Sequence, residues 1–218
     1  MPEQKPPRAE TRFERRRAQT RRSLIAAARV ILAEENAMPD TSIQKIAEQA
    51  DVGFGTFFNH FESKSALFDA AVTDALEEYG QLLDDVTATL DDPAEVIAAN
   101  VRLTIGMVVT HPELAKILRR RGMAQLHAES GLAPRALRDI EVGMASGRFA
   151  VDSPDITLSA VGGALLGLLE LESRHPGVVG PETSERTAAL ILRMLGLSPE
   201  DADDVARRPL PPAPPPRA

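Results

Sequence analysis

Residues 51–64 read DVGFGTFFNHFESK, and the fold turns on this stretch. It holds four phenylalanines, at positions 54, 57, 58 and 61, in a chain that has only seven Phe and no Trp, and two glycines break it. So many rings on one short segment point to a helix too short to stand alone in water and fixed instead by packing, since each buried ring removes about 150–250 Å² from solvent. Phe57 and Phe61 are assigned to that packing, with Leu24, Ala28, Ile46 and Leu67. Upstream, TSIQKIAEQA (41–50) sets Thr41 and Gln44 at capping-box spacing and places Ile43, Ile46, Ala47 and Ala50 on one apolar face. Asp51-Val52-Gly53 then interrupts, because Asp tolerates and Gly favours the φ values of a tight turn. The spacing predicts a short helix over 53–60 and, after it, Ser63 as the N-cap of a long helix carrying Leu67, Phe68, Ala71 and Val72 inward.

Elsewhere the pattern is helical throughout, with Ala, Leu, Glu and Arg at spacings of three and four and almost no β-branched alternation. The chain is read as all-α. A first helix over 11–35 aligns Leu24, Ala28 and Ile31, so that a long helix, two short ones and another long one follow in the order of a helix-turn-helix head. Helix starts are expected near DDP (91–93) and THPEL (110–114), and two apolar helices, over 155–173 and 183–195, close the fold. The expected divisions are a basic, partly flexible arm (1–18), a DNA-binding head (19–79), a second helical domain (80–198) and a Pro-rich flexible tail (199–218).

Composition narrows the function. No cysteine occurs, which excludes disulfides and thiolate metal sites and fits a cytoplasmic protein. The net charge is −7, yet residues 1–22 alone carry +5, so a basic arm sits on an acidic body and can bind a polyanion locally. The apolar run AVGGALLGLLEL (160–171) contains Glu170 and falls short of a membrane span, so no membrane partner is expected. No Ser-His-Asp spacing, paired-carboxylate motif, GxGxxG turn or Walker sequence argues for an enzyme. His111 and His127 lie too far apart, without acidic neighbours, to argue for a metal. Arg119, Arg120 and Arg121 read as the end of a helix, complementing its dipole.

The AAARVIL helix, T-x-I-x-x-IA, G-T-F-F-x-H-F and S-K-x-x-L-F, in fixed order from Arg21 to Val72, resemble the TetR family of bacterial transcriptional regulators. The resemblance implies a homodimer whose third helices enter successive major grooves of a near-palindromic operator. It also implies a C-terminal domain that dimerises and holds an unidentified small-molecule effector whose binding lowers operator affinity. On that reading the DNA-facing set is Arg16, Arg17, Arg21 and Arg22 of the arm, with Thr41, Ser42, Gln44 and Lys45 at the second helix. It continues through Gly53, Phe54, Gly55, Thr56, Phe58, Asn59, His60 and Lys64. His60 and Lys64 match phosphate-contacting positions of the family, whereas Phe58 stands where a tyrosine is usual and has only apolar contact to offer. Phe54 would face the groove, where an apolar side chain can meet a thymine methyl.

The effector pocket is expected among Met107, His111, Leu114, Leu118, Met123, Leu126 and Met144. A row of small side chains, Ala160, Gly163, Ala164 and Gly167, with Leu168, Leu171, Leu190, Ile191 and Met194, predicts a four-helix dimer interface, two helices from each subunit. The alternative function is a helical small-molecule-binding module without specific DNA binding.

Overall fold

The structure, a computed structural model, describes residues 11–33 and 41–212. The chain divides after residue 71 into two compact units. In the first, α1 (Arg12–Ala33), α2 (Ile43–Gln49), α3 (Phe54–Phe57) and the start of α4 (Lys64–Thr87) bury Leu24, Ala28, Ile31, Ile46, Phe57, Phe61, Leu67 and Phe68. Helix α2 is capped by Ser42, whose hydroxyl accepts from Lys45 N at 3.1 Å. The expected Thr41–Gln44 box is absent: Thr41 is buried, 3% exposed, and the Gln44 amide donates to Glu48 of its own helix. Both positions offer a hydroxyl, and the helix starts one residue later than the spacing suggests. At the other end of α2, Asp51 takes φ 54°, Val52 N donates to Ala47 O, and Asp51 N donates to Glu48 O. This is a Schellman closure with Asp in the left-handed position, while Gly53 keeps an ordinary extended conformation. Helix α3 is a single turn, shorter than the expected 53–60, and Ser63 caps α4 by accepting from Ala66 N at 3.1 Å.

The second unit is built on α5 (Pro93–Thr110), which begins with Asp92 as N-cap and Pro93 in the first turn. Around it pack α6 (Pro112–Gln125), α7 (Leu132–Ala145), α8 (Pro154–Arg174), α9 (Pro181–Met194) and α10 (Pro199–Arg207). The shared core joins Ile97, Val101 and Ile105 of α5 to Ile140, Leu158, Val161, Ile191 and Leu192. Helix α9 ends as α2 does, with Leu197 N on Leu192 O and Gly196 at φ 97°; a Cβ there would lie 2.8 Å from Ala150 Cβ.

Two expected bounds are corrected. The head extends only to residue 71, because Val72, Ala75, Leu76 and Tyr79 of α4 are buried in the second unit, where the Tyr79 hydroxyl donates to Leu103 O at 2.9 Å. The tail is helical over Pro199–Arg207: Ala202, Val205 and Ala206 fall at i, i+3 and i+4 and are buried, and Arg148 holds Asp201 at 2.5 Å and Asp92 at 2.9 Å. Residues 213–218 and 1–10 lie outside the described residues, and from Arg12 the chain is regular helix, as the spacing over 11–35 predicts. Helices α5 and α8 are long and apolar enough, by length and composition, to cross a membrane, a property they share with core helices. In α5 the apolarity serves a central core position, and in α8 it is divided between buried Leu158, Val161, Leu166 and Leu169 and an open face of small residues.

Helix α4 is held to the α6–α7 turn by Arg135. Its guanidinium donates to Asp84 at 2.7 Å and to Glu77 at 2.6 and 3.0 Å, while Glu77 also accepts from Gly131 N at 2.9 Å. Those bonds hold the Glu77 carboxyl down at about 2.

Two expectations follow for stability. Phe57→Ala should cost about 3–5 kcal/mol in urea unfolding, because a fully buried ring leaves a cavity, whereas Phe58→Ala, at a half-exposed ring, should cost under about 1 kcal/mol. Because Glu77 has a depressed folded-state pKa, its contribution is present above the ordinary carboxylate value and lost as pH falls toward about 2. Melting of Glu77→Gln should therefore lie below wild type at pH 7, and the gap should shrink between about pH 5 and pH 3.

Candidate nucleic-acid interface and ligand cavity

In the head, the turn between α2 and α3 leaves one edge exposed. Ser42, Gln44 and Lys45 of the α2 start, and Gly53, Phe54, Gly55, Phe58 and Asn59 around α3, all face solvent; Thr56, His60 and Lys64 are half-buried. Phe57 organises the rings. It meets Phe58 edge-to-face at 5.2 Å and Phe61 at 6.1 Å, and Phe58 in turn meets Phe54 at 5.6 Å. Two rings are therefore sealed inside while Phe54 and Phe58, 55% and 51% exposed, are propped against each other on the surface. A Cβ on Gly55 would meet nothing within 4 Å, so packing within the chain does not require glycine there.

Arg16, Arg17, Arg21 and Arg22 are exposed on α1. Arg21 lies over the Phe61 ring at 4.5 Å and Arg22 donates to Gln19 at 2.9 Å, so part of the arm's charge is anchored by local contacts. Burial, then Arg17 and Arg21, hold the His60 imidazole below its ordinary pKa, which marks this edge as electropositive. Thr41, expected at DNA, is a buried residue whose carbonyl accepts from Lys64 Nζ at 3.0 Å. That bond ties the start of α4 to the start of α2 and commits one of the three Lys64 donors.

The second unit holds a partly open cavity of roughly 120 Å³. Its apolar wall comes from Leu76, Leu83, Ile97, Val101, Leu118, Leu126, Leu132, Leu158, Val161, Leu165 and Leu166, and its polar groups include Asp84, Asn100, Thr104, Gln125, Arg135 and Asp139. Four of these polar residues belong to one connected chain. Asn100 Nδ2 donates to Asp139 at 3.1 Å, Arg138 bridges Asp139 at 2.8 Å and Asp84 at 2.9 Å, and Arg135 donates to Asp84. Burial raises the Asp139 carboxyl, with Arg138 opposing. At Asp84 burial also acts upward, but the two arginines together outweigh it and the carboxyl is held low.

Of the expected pocket residues, Leu118 and Leu126 line this cavity. Met107 and Leu114 are buried away from it, Met144 packs on the core, and Met123 is 68% exposed. His111 stands at the α5–α6 junction, its ring 5.6 Å from that of Tyr79. Hydrophobicity alone favours the methionines; the discriminating signal is the pair of arginines and the aspartate in RALRD (135–139), charges that share a helix with Leu132, Leu137, Ile140 and Met144. Arg119 also differs from expectation, lying inside α6 and pairing with Glu170 at 2.9 Å.

On α8 and α9, Ala160, Gly167, Leu171, Leu190 and Met194 are exposed, Gly163, Ala164 and Leu168 are half-buried, and a Cβ at Gly163 or Gly167 would meet nothing within 4 Å. Ile191 is fully buried in the chain's own core and is removed from the expected interface, since it falls on the α5-facing side of α9.

A family model described as bacterial regulatory proteins, tetR family, matches residues 24–71, and another, tetracyclin repressor-like C-terminal domain, matches residues 92–208. Among solved structures, RolR in complex with resorcinol is 31% identical, with TM-score 0.67, over 91% of this chain and 98% of that one. A TetR-family transcriptional regulator from Pectobacterium atrosepticum is 26% identical, with TM-score 0.56, over 85% and 94%. A tetR family regulator from Shewanella sp. PV-4, at 17% identity and TM-score 0.69 over 82% and 99%, shares the fold. No curated protein matches. With a helix-turn-helix edge at one end of the chain and family models spanning both units, the chain belongs to the TetR family and is a DNA-binding transcriptional regulator.

Proposed function

We propose that this regulator is a repressor that binds a near-palindromic operator as a homodimer in the cytoplasm and is released by a small hydroxylated aromatic held in the cavity. The observation that carries the reading is the cavity itself: a ring-sized apolar space whose polar end is bonded, through Arg135, to two carboxylates of α4. Helix α4 runs unbroken from Lys64 to Thr87 and so belongs to both units. An effector that draws on Arg135 or Arg138 competes with Asp84 and Glu77 for the same donors, which gives ligand and α4 a shared set of bonds. RolR, the relative at 31% identity, is bound to resorcinol, a compound of the size this cavity admits.

Two further features support the operator and dimer parts. The exposed edge offers hydrogen-bonding Ser42, Gln44, Thr56 and Asn59 between arm arginines and Lys45, with bare backbone at Gly55 for close approach to a duplex. Exposed Leu171, Leu190 and Met194, beside open glycines, form an apolar face that a second copy would cover, and sedimentation at the mass of two chains is the result that fits.

The test of release is an anisotropy titration on a DNA site selected from random sequence. Resorcinol should free the DNA at saturating concentration, and retention of the complex at every concentration would overturn the effector assignment. Gly55→Ala should leave folding unchanged or improve it by up to about 1 kcal/mol while weakening DNA binding about tenfold, because the added methyl meets only the duplex. Replacing Arg16 and Arg17 by Ala should reduce the slope of log K against log salt by about 0.9 for each phosphate that is no longer neutralised.

A further inference from the structure

We infer that Asn100 is the residue that selects the effector, its side-chain oxygen accepting a hydrogen bond from a ligand hydroxyl, so that the cavity takes a monocyclic phenol in preference to an apolar ring of the same size. The inference rests on the reading of this cavity as the effector site. Asn100 projects from α5, the central helix of the unit, and lines the cavity. Its amide is used on one side only: Nδ2 donates to Asp139 at 3.1 Å, whereas Oδ1 is covered on every side, the cavity's included, and among the described residues has no hydrogen-bond partner, so a ligand hydroxyl reaches it by displacing the wall side chains that cover it. A buried carbonyl oxygen without a donor is rare in a folded protein and is costly wherever it persists.

Turning the amide over does not relieve it. That would set the oxygen against the Asp139 carboxylate, which Arg138 keeps paired through Nε at 3.0 Å and Nη2 at 2.8 Å. Nor do the nearby guanidinium groups supply the donor. Arg135 donates to Asp84, Glu77 and Gly131 O, and Arg138 donates to Asp84 and Asp139. The orphan acceptor is thus held in place by the same network that leaves it unsatisfied.

The remaining wall fixes what can bring the missing donor. The rest of the wall is largely apolar, with Ile97, Val101, Leu158 and Val161 among its residues, and Asp84, Arg135 and Asp139 are already paired within the network. Its size, roughly 120 Å³, suits a single six-membered ring, since apolar cavities near about 150 Å³ in other proteins admit benzene. The glycines in the wall are close-fitted: a Cβ at Gly162 would lie 2.2 Å from Leu126 Cδ2, and one at Gly122 would lie 2.4 Å from Leu166 Cδ2. A ring with an O–H satisfies both demands at once. A ring bearing only a carbonyl or ether oxygen turns a lone pair toward the Asn100 oxygen, and a ring with no polar group leaves that oxygen unpaired.

The experiment compares phenol with toluene, which have nearly the same size and differ in a hydroxyl against a methyl, with resorcinol as reference. Binding is measured by calorimetry on the full-length protein and on Asn100→Leu. Wild type should favour phenol over toluene by about tenfold or more, and Asn100→Leu, which keeps the volume but removes the acceptor, should lose or invert that preference. An unchanged phenol-to-toluene ratio in the variant overturns the inference. So does a wild-type protein that binds toluene as tightly as phenol, a result that stands even if Asn100→Leu fails to fold. If wild type binds none of the three, the effector assignment itself falls, which distinguishes that failure from a wrong choice of residue.

Discussion

A helix of four residues cannot hold its own position. Helix α3 closes almost none of its backbone hydrogen bonds internally, so its place on the surface of the head is set by the one side chain it buries, Phe57. That ring is in edge or tilted contact with Phe58 on the outer side and Phe61 on the inner side, and through Phe58 it also supports Phe54. The exposed edge of the head therefore takes its geometry from the core beneath it. Gly55 and Thr56 lie on the same turn as Phe57, which leaves little freedom for them to move independently of the buried ring.

Electrostatics act on this edge through position more than through number. The body of the chain is acidic, yet the arginines of α1 come near enough to His60 to depress its pKa, with burial as the larger cause. An anion at that edge would reverse the effect of Arg17 and Arg21 and favour the imidazolium, so phosphate binding and proton uptake are linked there. Lys64 has a second function besides charge, since its bond to Thr41 O fixes two helix starts against each other.

The head could be read from the sequence because its signals are local. Ser63 as a cap, the break at Asp51 and the inward rings at 57 and 61 each depend on a few neighbouring residues, and each stands in the structure where spacing puts it. One-residue ambiguities are resolved otherwise: Ser42 caps α2 in place of Thr41, and Asp51 takes the left-handed conformation that Gly53 could have taken. The prolines after 208 mask the amphipathic PEDADDVAR that precedes them, whose three small apolar residues bury α10. The cavity is hardly legible at all. Asp84, Asn100, Arg135 and Asp139 come from α4, α5 and α7, and only the packing of those helices brings them together.

That convergence bears on why such a costly cluster is kept. Two arginines and three carboxylates, partly withdrawn from water beside an apolar cavity, are a costly route to stability: losing one partner, such as Glu77, is destabilising, yet hydrophobic residues of similar volume in place of the whole cluster would pack there without desolvating any charge. A network of this kind does something apolar residues cannot: its bonds are directional and exchangeable, so a new donor or acceptor in the cavity changes which partner each guanidinium holds. Arg135 reaches Glu77 and Asp84, which lie seven residues apart and hence about two turns along the same face of α4. A shift of that single side chain consequently acts on α4 at two points separated by about 10 Å.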